Sequence, residues 1–293
     1  MRNFLAYMIK ILVMVLITMV ILDLCYTLAY VQCKKRGKID QVYNLEHKKY
    51  DVVILGSSRA NNHFVTQMFE DKGLITFNYG MSGSSLFETS LMLKLMIEKR
   101  CSIKNVILDA DLNLTSDYQS DGIASRFLPY IYNSQVTKKH FESLSNFKEI
   151  YFIPFYRYMK YETVIGFREM FFNAIQKRTK DFDNKGYAKL NGIEDGYMEY
   201  DMSQMEPLSD NKYYNEIKNI CKEHNINFIP VMTPVCDNAR GLDYFDKVKK
   251  AYPEIHNYEN TVVENKYFSS CGHMNHSGAT LLTSKIIKDF FNK

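Results

Sequence analysis

Hydrophobic and polar positions divide the chain into stretches of different period. Residues 4–31 are apolar almost throughout, and their only charged side chains are Lys10 and Asp23. About 20 such residues cross the hydrocarbon core of a bilayer, and 11–31 meet that length with one charge inside. Asp23 would cost about 2–3 kcal/mol there unless it lies near an interface or finds a partner. The alternative is a cleaved signal peptide with its apolar core at 11–22. No Ala-x-Ala-like site follows that core, so the pattern predicts an uncleaved transmembrane signal anchor over 4–32.

The next stretch, 33–50, is charged and polar and predicts a linker. Asp51-Val52-Val53-Ile54-Leu55 is then apolar on both faces, as a strand buried within a parallel sheet must be. Gly56 ends it, and 60–72 is compatible with a helix. The alternation repeats. Leu74-Ile75-Thr76-Phe77 predicts a strand and 86–99 a helix, Val106-Ile107-Leu108 a strand ending at Asp109 and Asp111. Later, 212–224 predicts a helix, 226–232 a strand and 277–291 a final helix. Such alternation predicts an α/β domain over 51–293, with a central parallel sheet covered on both faces: a three-layer α/β/α sandwich. Residues 117–207 break the pattern. Within them 151–177, rich in Tyr, Phe, Met and Arg, looks helical and amphipathic. We read this segment as a helical insertion that packs as core or lid, or binds a partner.

Composition narrows the classes. With 293 residues, 46% of them hydrophobic, one large domain with appendages is expected. A net charge of +4, scattered without a basic stripe among aromatics, argues against a nucleic-acid partner. Cys25, Cys33, Cys101, Cys221, Cys236 and Cys271 show no CxxC spacing, which argues against a zinc knuckle or a thioredoxin-like motif. Their even number permits disulfides outside the cytoplasm, with no pairing evident. Cations flank the anchor on both sides: Arg2 and Lys10 before it, Lys34, Lys35, Arg36 and Lys38 after it. Their count leans toward a cytoplasmic carboxyl side.

Candidate chemistry begins where the first strand ends, at Gly56-Ser57-Ser58-Arg59-Ala60. Ligands of open α/β sheets bind at the carboxyl ends of strands. Gly56 permits a tight turn there, Ser58 can aim its hydroxyl into a cleft, and its own N–H at the helix start can stabilise an oxyanion. The bland alternative is a Ser-Ser helix cap. No GxxxxGK[ST] or GxGxxG motif occurs, and Asn78-Tyr79-Gly80-Met81-Ser82-Gly83 has neither lysine nor the right glycine spacing, so nucleotide binding is not indicated. At the far end of the chain, Gly272-His273-Met274-Asn275-His276 precedes the last helix and offers a base for a serine nucleophile. His63 could face the same cleft, although a packed histidine is the simpler reading. His47, His140, His224, His256 and His276 look like exposed surface or uncommitted loop.

Gly56-Ser57-Ser58 after an early strand, Gly80 after the second, and a late His273-Met274-Asn275-x-x-Gly278-Ala279 together resemble the SGNH/GDSL hydrolase superfamily. More narrowly, they resemble its membrane-anchored, flavodoxin-like members that modify cell-surface polysaccharides. The resemblance covers about residues 51–291. It implies Ser58 as nucleophile and His273 as base. It also implies an oxyanion hole from the Ser58 and Gly80 N–H groups, with Asn113 in the place of the third-block Asn. A serine esterase or O-acetyltransferase, with ester-linked acyl groups of a surface glycan as substrate, would follow. So would a globular domain outside the cytoplasm and a possible membrane acyl-transfer partner protein, and no metal or organic cofactor is implied. The chain departs from the pattern in two places. Ser270 stands where the family has the triad Asp, and the Gly-x-Asn-Asp of the third block is missing, with Asp111 or Asn113 near its position. Glu264, Asp109 or Asp111 could approach the imidazole instead, a backbone carbonyl could orient it, or a Ser–His dyad could suffice. A catalytically degenerate domain, serving as a binding or assembly component of a polysaccharide modification or export complex, is the alternative expectation.

Overall fold

A computed structural model describes residues 2–34, 36–193 and 199–291. Lys35, counted above among the flanking cations, lies outside them, as do residues 194–198 of the expected insertion and the side chain of Asp111. The chain divides into two compact units: Met1–Asn44 with Ala124–Thr179, and Leu45–Ile123 with Lys180–Lys293.

The first unit is helical. Its longest element, α1 (Arg2–Gln32), is long and apolar enough to cross a membrane. Residues 2–22 are bare, whereas Asp23, Tyr26, Ala29 and Tyr30 are buried. The uncovered apolar stretch is therefore 2–22, displaced toward the amino terminus from the expected 11–31. Asp23 has found a partner. Both its carboxylate oxygens accept hydrogen bonds from the buried Arg157, at 2.8 Å each, and the Phe155 N–H adds a third at 2.6 Å. The two charges are mutually neutralised, and removal of either would leave the other buried and unpaired.

The linker expected at 33–50 is not a linker throughout. It holds a second helix, α2 (Lys38–Tyr43), because Ile39, Val42 and Tyr43 are apolar and find cover; the Tyr43 ring lies 4.3 Å from that of Tyr130. Asp40 accepts from the Arg36 and Gly37 N–H groups at its start. The helix expected over 151–177 is broken into Phe147–Phe152, Tyr156–Lys160, Glu162–Ile165 and Phe167–Ala174. Phe155 takes the left-handed conformation, with φ of 62°, and ends the continuity. Arg36 holds Glu169 by a two-pronged pair of 2.8 and 2.9 Å.

The second unit is α/β. Its strands are β1 (Lys49–Gly56), β2 (Thr76–Asn78), β3 (Ser102–Asp109), β4 (Tyr200–Asp201), β5 (Asn227–Met232), β6 (Ala239–Arg240), β7 (His256–Asn257), β8 (Phe268–Ser270) and β9 (His273–Met274). Five form a central parallel sheet in the order β2-β1-β3-β5-β7, with β4–β6 and β8–β9 as separate pairs. β1 extends two residues before the expected strand, taking Lys49 and Tyr50 from the expected linker. Val52 to Leu55, Val106 to Leu108 and Ile229 to Met232 are buried, as their unbroken apolar runs require. The chain leaves β1 for β2 on one side and crosses to β3 on the other, so a switch point lies at the carboxyl end of β1. There Gly56 pairs with Asp109. The expected helix over 60–72 is two helices, α3 (Ser58–His63) and Thr66–Glu70. They separate because Phe64 and Val65 are extended and the Val65 N–H is drawn to Thr283 Oγ1. The expected insertion over 117–207 also divides: 124–179 packs with the first unit, and its remainder belongs with the sheet.

Candidate active site

The site forms from the turn after β1 and from the β8–β9 hairpin. Gly56 has a φ of +136°, and a Cβ there would stand 2.7 Å from the Asp109 carbonyl oxygen, so only glycine fits this turn without displacing β3. The turn delivers Ser57 to the N-cap of α3, where its side chain makes no capping bond, and Ser58 to the first helical position. The Ser58 hydroxyl is thus not occupied as a helix cap. It lies 2.7 Å from His273 Nε2.

His273 comes from β9, just before the helix His276–Phe290. Asn275 caps that helix, accepting from the Ser277 and Gly278 N–H groups at 3.1 and 3.2 Å. Its backbone N–H also donates to the Tyr267 carbonyl. On the far side of the imidazole, Nδ1 lies 3.1 Å from Ser270 Oγ. The group behind the base is therefore the Ser270 hydroxyl. Glu264 is exposed and pairs with Lys266 at 2.6 Å. Asp109 is buried at the end of β3, where it pairs with Gly56 of β1. With Nδ1–H donated to Ser270, Nε2 is left as acceptor for the Ser58 hydroxyl. Burial, and then the positive charge of Arg59, hold the His273 pKa below its ordinary 6.5.

A second layer supports this pair. His63, fully buried at the end of α3, accepts the Met274 N–H on Nε2 at 3.1 Å. Nδ1 must then carry the proton, and it faces Thr233 Oγ1 at 3.0 Å. Arg59 donates to the same hydroxyl from Nη2 at 2.7 Å and to the Thr233 carbonyl. The path Arg59–Thr233–His63–Met274 ties α3, the end of β5 and the strand that carries His273. Burial first, then Arg59 and His273, drive the His63 pKa well below 6.5, so it stays neutral as an acceptor. A disulfide, Cys236–Cys271, adds a covalent tie between the loop after β5 and the β8–β9 turn.

Two of the expected oxyanion donors stand differently. The Gly80 N–H donates to Asn78 Oδ1 at 2.9 Å, because the Asn78 amide is itself turned to the Ala60 carbonyl at 2.7 Å. The need for glycine at position 80 is steric, since a Cβ would lie 2.6 Å from the Asn61 backbone nitrogen. Asn113 lies in the single 3-10 turn after β3 and makes no hydrogen bond to Ser58 or His273. The Ser58 N–H, in the first turn of α3, keeps the position expected of it.

Sequence reasoning missed Thr233 and the supporting role of Arg59 and His63. Thr233 directly follows the β5 carboxyl end, where site residues belong, and that was its one signal. Two histidines expected at the surface or in loops stand otherwise: His140 is buried in the helix Gln135–Phe141, and His276 Nδ1 meets the Tyr187 hydroxyl at 3.0 Å. Among the described residues no cluster of His, Cys, Asp and Glu could hold a metal ion. The chain matches no protein-family model and no curated protein.

Proposed function

We propose that this chain is an SGNH-type serine esterase or O-acyltransferase, held at a membrane by α1, whose second unit is the three-layer α/β/α sandwich of that superfamily. The observation that carries the reading is the 2.7 Å approach of His273 Nε2 to Ser58 Oγ at the switch point of a parallel sheet. Ser58 Oγ attacks the acyl carbonyl carbon while Nε2 takes its proton. The tetrahedral oxyanion receives the Ser58 N–H. As the C–O bond to the leaving alcohol breaks, His273 returns the proton to that oxygen, and acyl-Ser58 remains. Water or a sugar hydroxyl then attacks with His273 again as base; the acyl–Oγ bond breaks, His273 returns the proton to Ser58 Oγ, and the acid or the transferred ester is released. The substrate class follows from the family resemblance: ester-linked acyl groups, acetyl foremost, on a cell-surface glycan, with a membrane acyl-transfer protein as possible supplier. Cys236–Cys271 supports a globular domain outside the cytoplasm, where disulfides persist.

Ser270 in the place of a carboxylate, and a Gly80 N–H already bonded to Asn78, favour the second reading. There the domain binds a glycan or assembles an export complex without turnover. Hydrolysis of a small acetyl ester separates the two. Ser58→Ala should abolish a wild-type rate while the fold persists; equal activity in both chains would remove Ser58 from the chemistry.

A further inference from the structure

The bare part of α1, residues 2–22, is about 31 Å long at 1.5 Å per residue, close to the roughly 30 Å of a bilayer's hydrocarbon core. If α1 spans a membrane, as read above, the hydrocarbon boundary falls at the step from Leu22 to Asp23. Protein cover begins at that level. The Phe155 N–H and the Arg157 guanidinium both close on the Asp23 carboxylate, and the Tyr26 ring meets Phe155 edge-on at 4.9 Å. The turn ahead of Phe155 is pinned to α1 at the boundary itself. Phe152, three residues earlier and so within about 11 Å along the chain, is 70% exposed, and Ile153 is 42% exposed. Around them the helix Phe147–Phe152 stacks Phe147 on Tyr151 at 5.3 Å. Tyr151 in turn meets Tyr132 at 5.1 Å and lies under the Lys138 ammonium at 4.8 Å.

We infer that the 152–153 turn dips into the interfacial layer of the bilayer that α1 crosses, as a second, non-spanning membrane contact of the first unit. Uncovered apolar tips beside amphipathic tyrosines and a lysine suit the boundary between acyl chains and headgroups. The Asp23–Arg157 pair is the latch that sets the depth of this contact.

The chain contains no tryptophan, so Phe152→Trp or Ile153→Trp introduces the sole indole. The full-length chain goes into phosphatidylcholine nanodiscs with or without bromine midway along the acyl chains, and Val13→Trp reports on the span itself. For Phe152→Trp the expected result is a blue-shifted emission that brominated lipid quenches about two-fold, since an interfacial group sits roughly 5–10 Å into the boundary. Val13→Trp should be quenched as well. If Val13→Trp is quenched while emission from position 152 is water-like, or blue-shifted but insensitive to bromine because protein or a second copy covers it, the inference fails and the anchor stands. If Val13→Trp escapes quenching, the membrane-spanning reading fails, and this inference with it.

Discussion

Ser270→Asp puts a carboxylate where the hydroxyl now receives His273 Nδ1. The present separation is 3.1 Å, and the longer aspartate side chain can keep a contact near 3.5 Å. At that distance, with an effective dielectric of about 20, a unit charge pair is worth roughly 5 kcal/mol. Both residues are partly exposed, and solvent screening cuts this to about 1.5–3 kcal/mol. The imidazolium formed as Ser58 loses its proton gains that stabilisation. If half of it is expressed in the transition state, kcat/KM for a small acetyl ester rises about three- to thirteen-fold. The sign of the pH effect follows from the ground state. His273 is held below 6.5 by burial and by Arg59, so its acid limb lies below 6.5 and the base is free at neutral pH. A new anion favours the cation and moves that limb upward by about one to two pH units. The assay is the pH–rate profile of ester hydrolysis, with the His273 ring proton followed by NMR in the same samples. An unmoved limb and an unraised rate at pH 8, in a folded variant, would refute the assignment of Ser270 as the group behind the base.

Further outcomes follow from the supporting layer. His63→Ala leaves the Met274 N–H without its acceptor and should lower stability by about 1–3 kcal/mol, with kcat reduced more than KM is raised; calorimetry and steady-state kinetics read both, and His63→Gln should recover part of each loss. Because the folded His63 pKa lies well below 6.5, its contribution to stability is complete above the unfolded value near 6.5. It fades as pH falls below that value, at about 1.4 kcal/mol per pH unit, and His63→Gln denaturation curves should be shallower in pH by that contribution, with the part owed to His273 remaining. Replacing Cys236 and Cys271 by serine opens a loop with a sequence separation of 35 and should cost about 3–4 kcal/mol in chemical denaturation, provided the reduced chain keeps no residual structure. Gly56→Ala, at φ +136° with 2.7 Å to the Asp109 carbonyl, should reduce soluble folded yield and ester turnover together.

The sheet was readable because parallel strands are apolar on both faces. Val52 to Leu55, Val106 to Leu108 and Ile229 to Met232 announce themselves, whereas β7 and the β8–β9 and β4–β6 pairs, with strands of two or three residues, are too short to leave a period. Ser58 and His273 were readable because turn glycines and a capped terminal helix mark their places. What escaped was long-range. Nothing local to Asp23 says that its partner stands 134 residues away in Arg157, or that 124–179 returns to pack on the amino-terminal helix. The amphipathic look of 151–177 concealed a left-handed residue at Phe155 that a sequence pattern does not forbid. Gly80 was expected for its N–H and is required for its lack of a side chain.

If Ser58 is a nucleophile activated by His273, it reacts covalently with electrophiles that mimic an acyl ester. An active-site-directed fluorophosphonate, followed by intact mass and peptide mapping on the full-length chain, tests it most directly. A single adduct is expected on Ser58, lost in Ser58→Ala and formed at least about a hundred-fold more slowly in His273→Ala, in line with the weight of a general base. A folded wild-type chain that leaves Ser58 unlabelled would contradict it and turn the domain into a binding module.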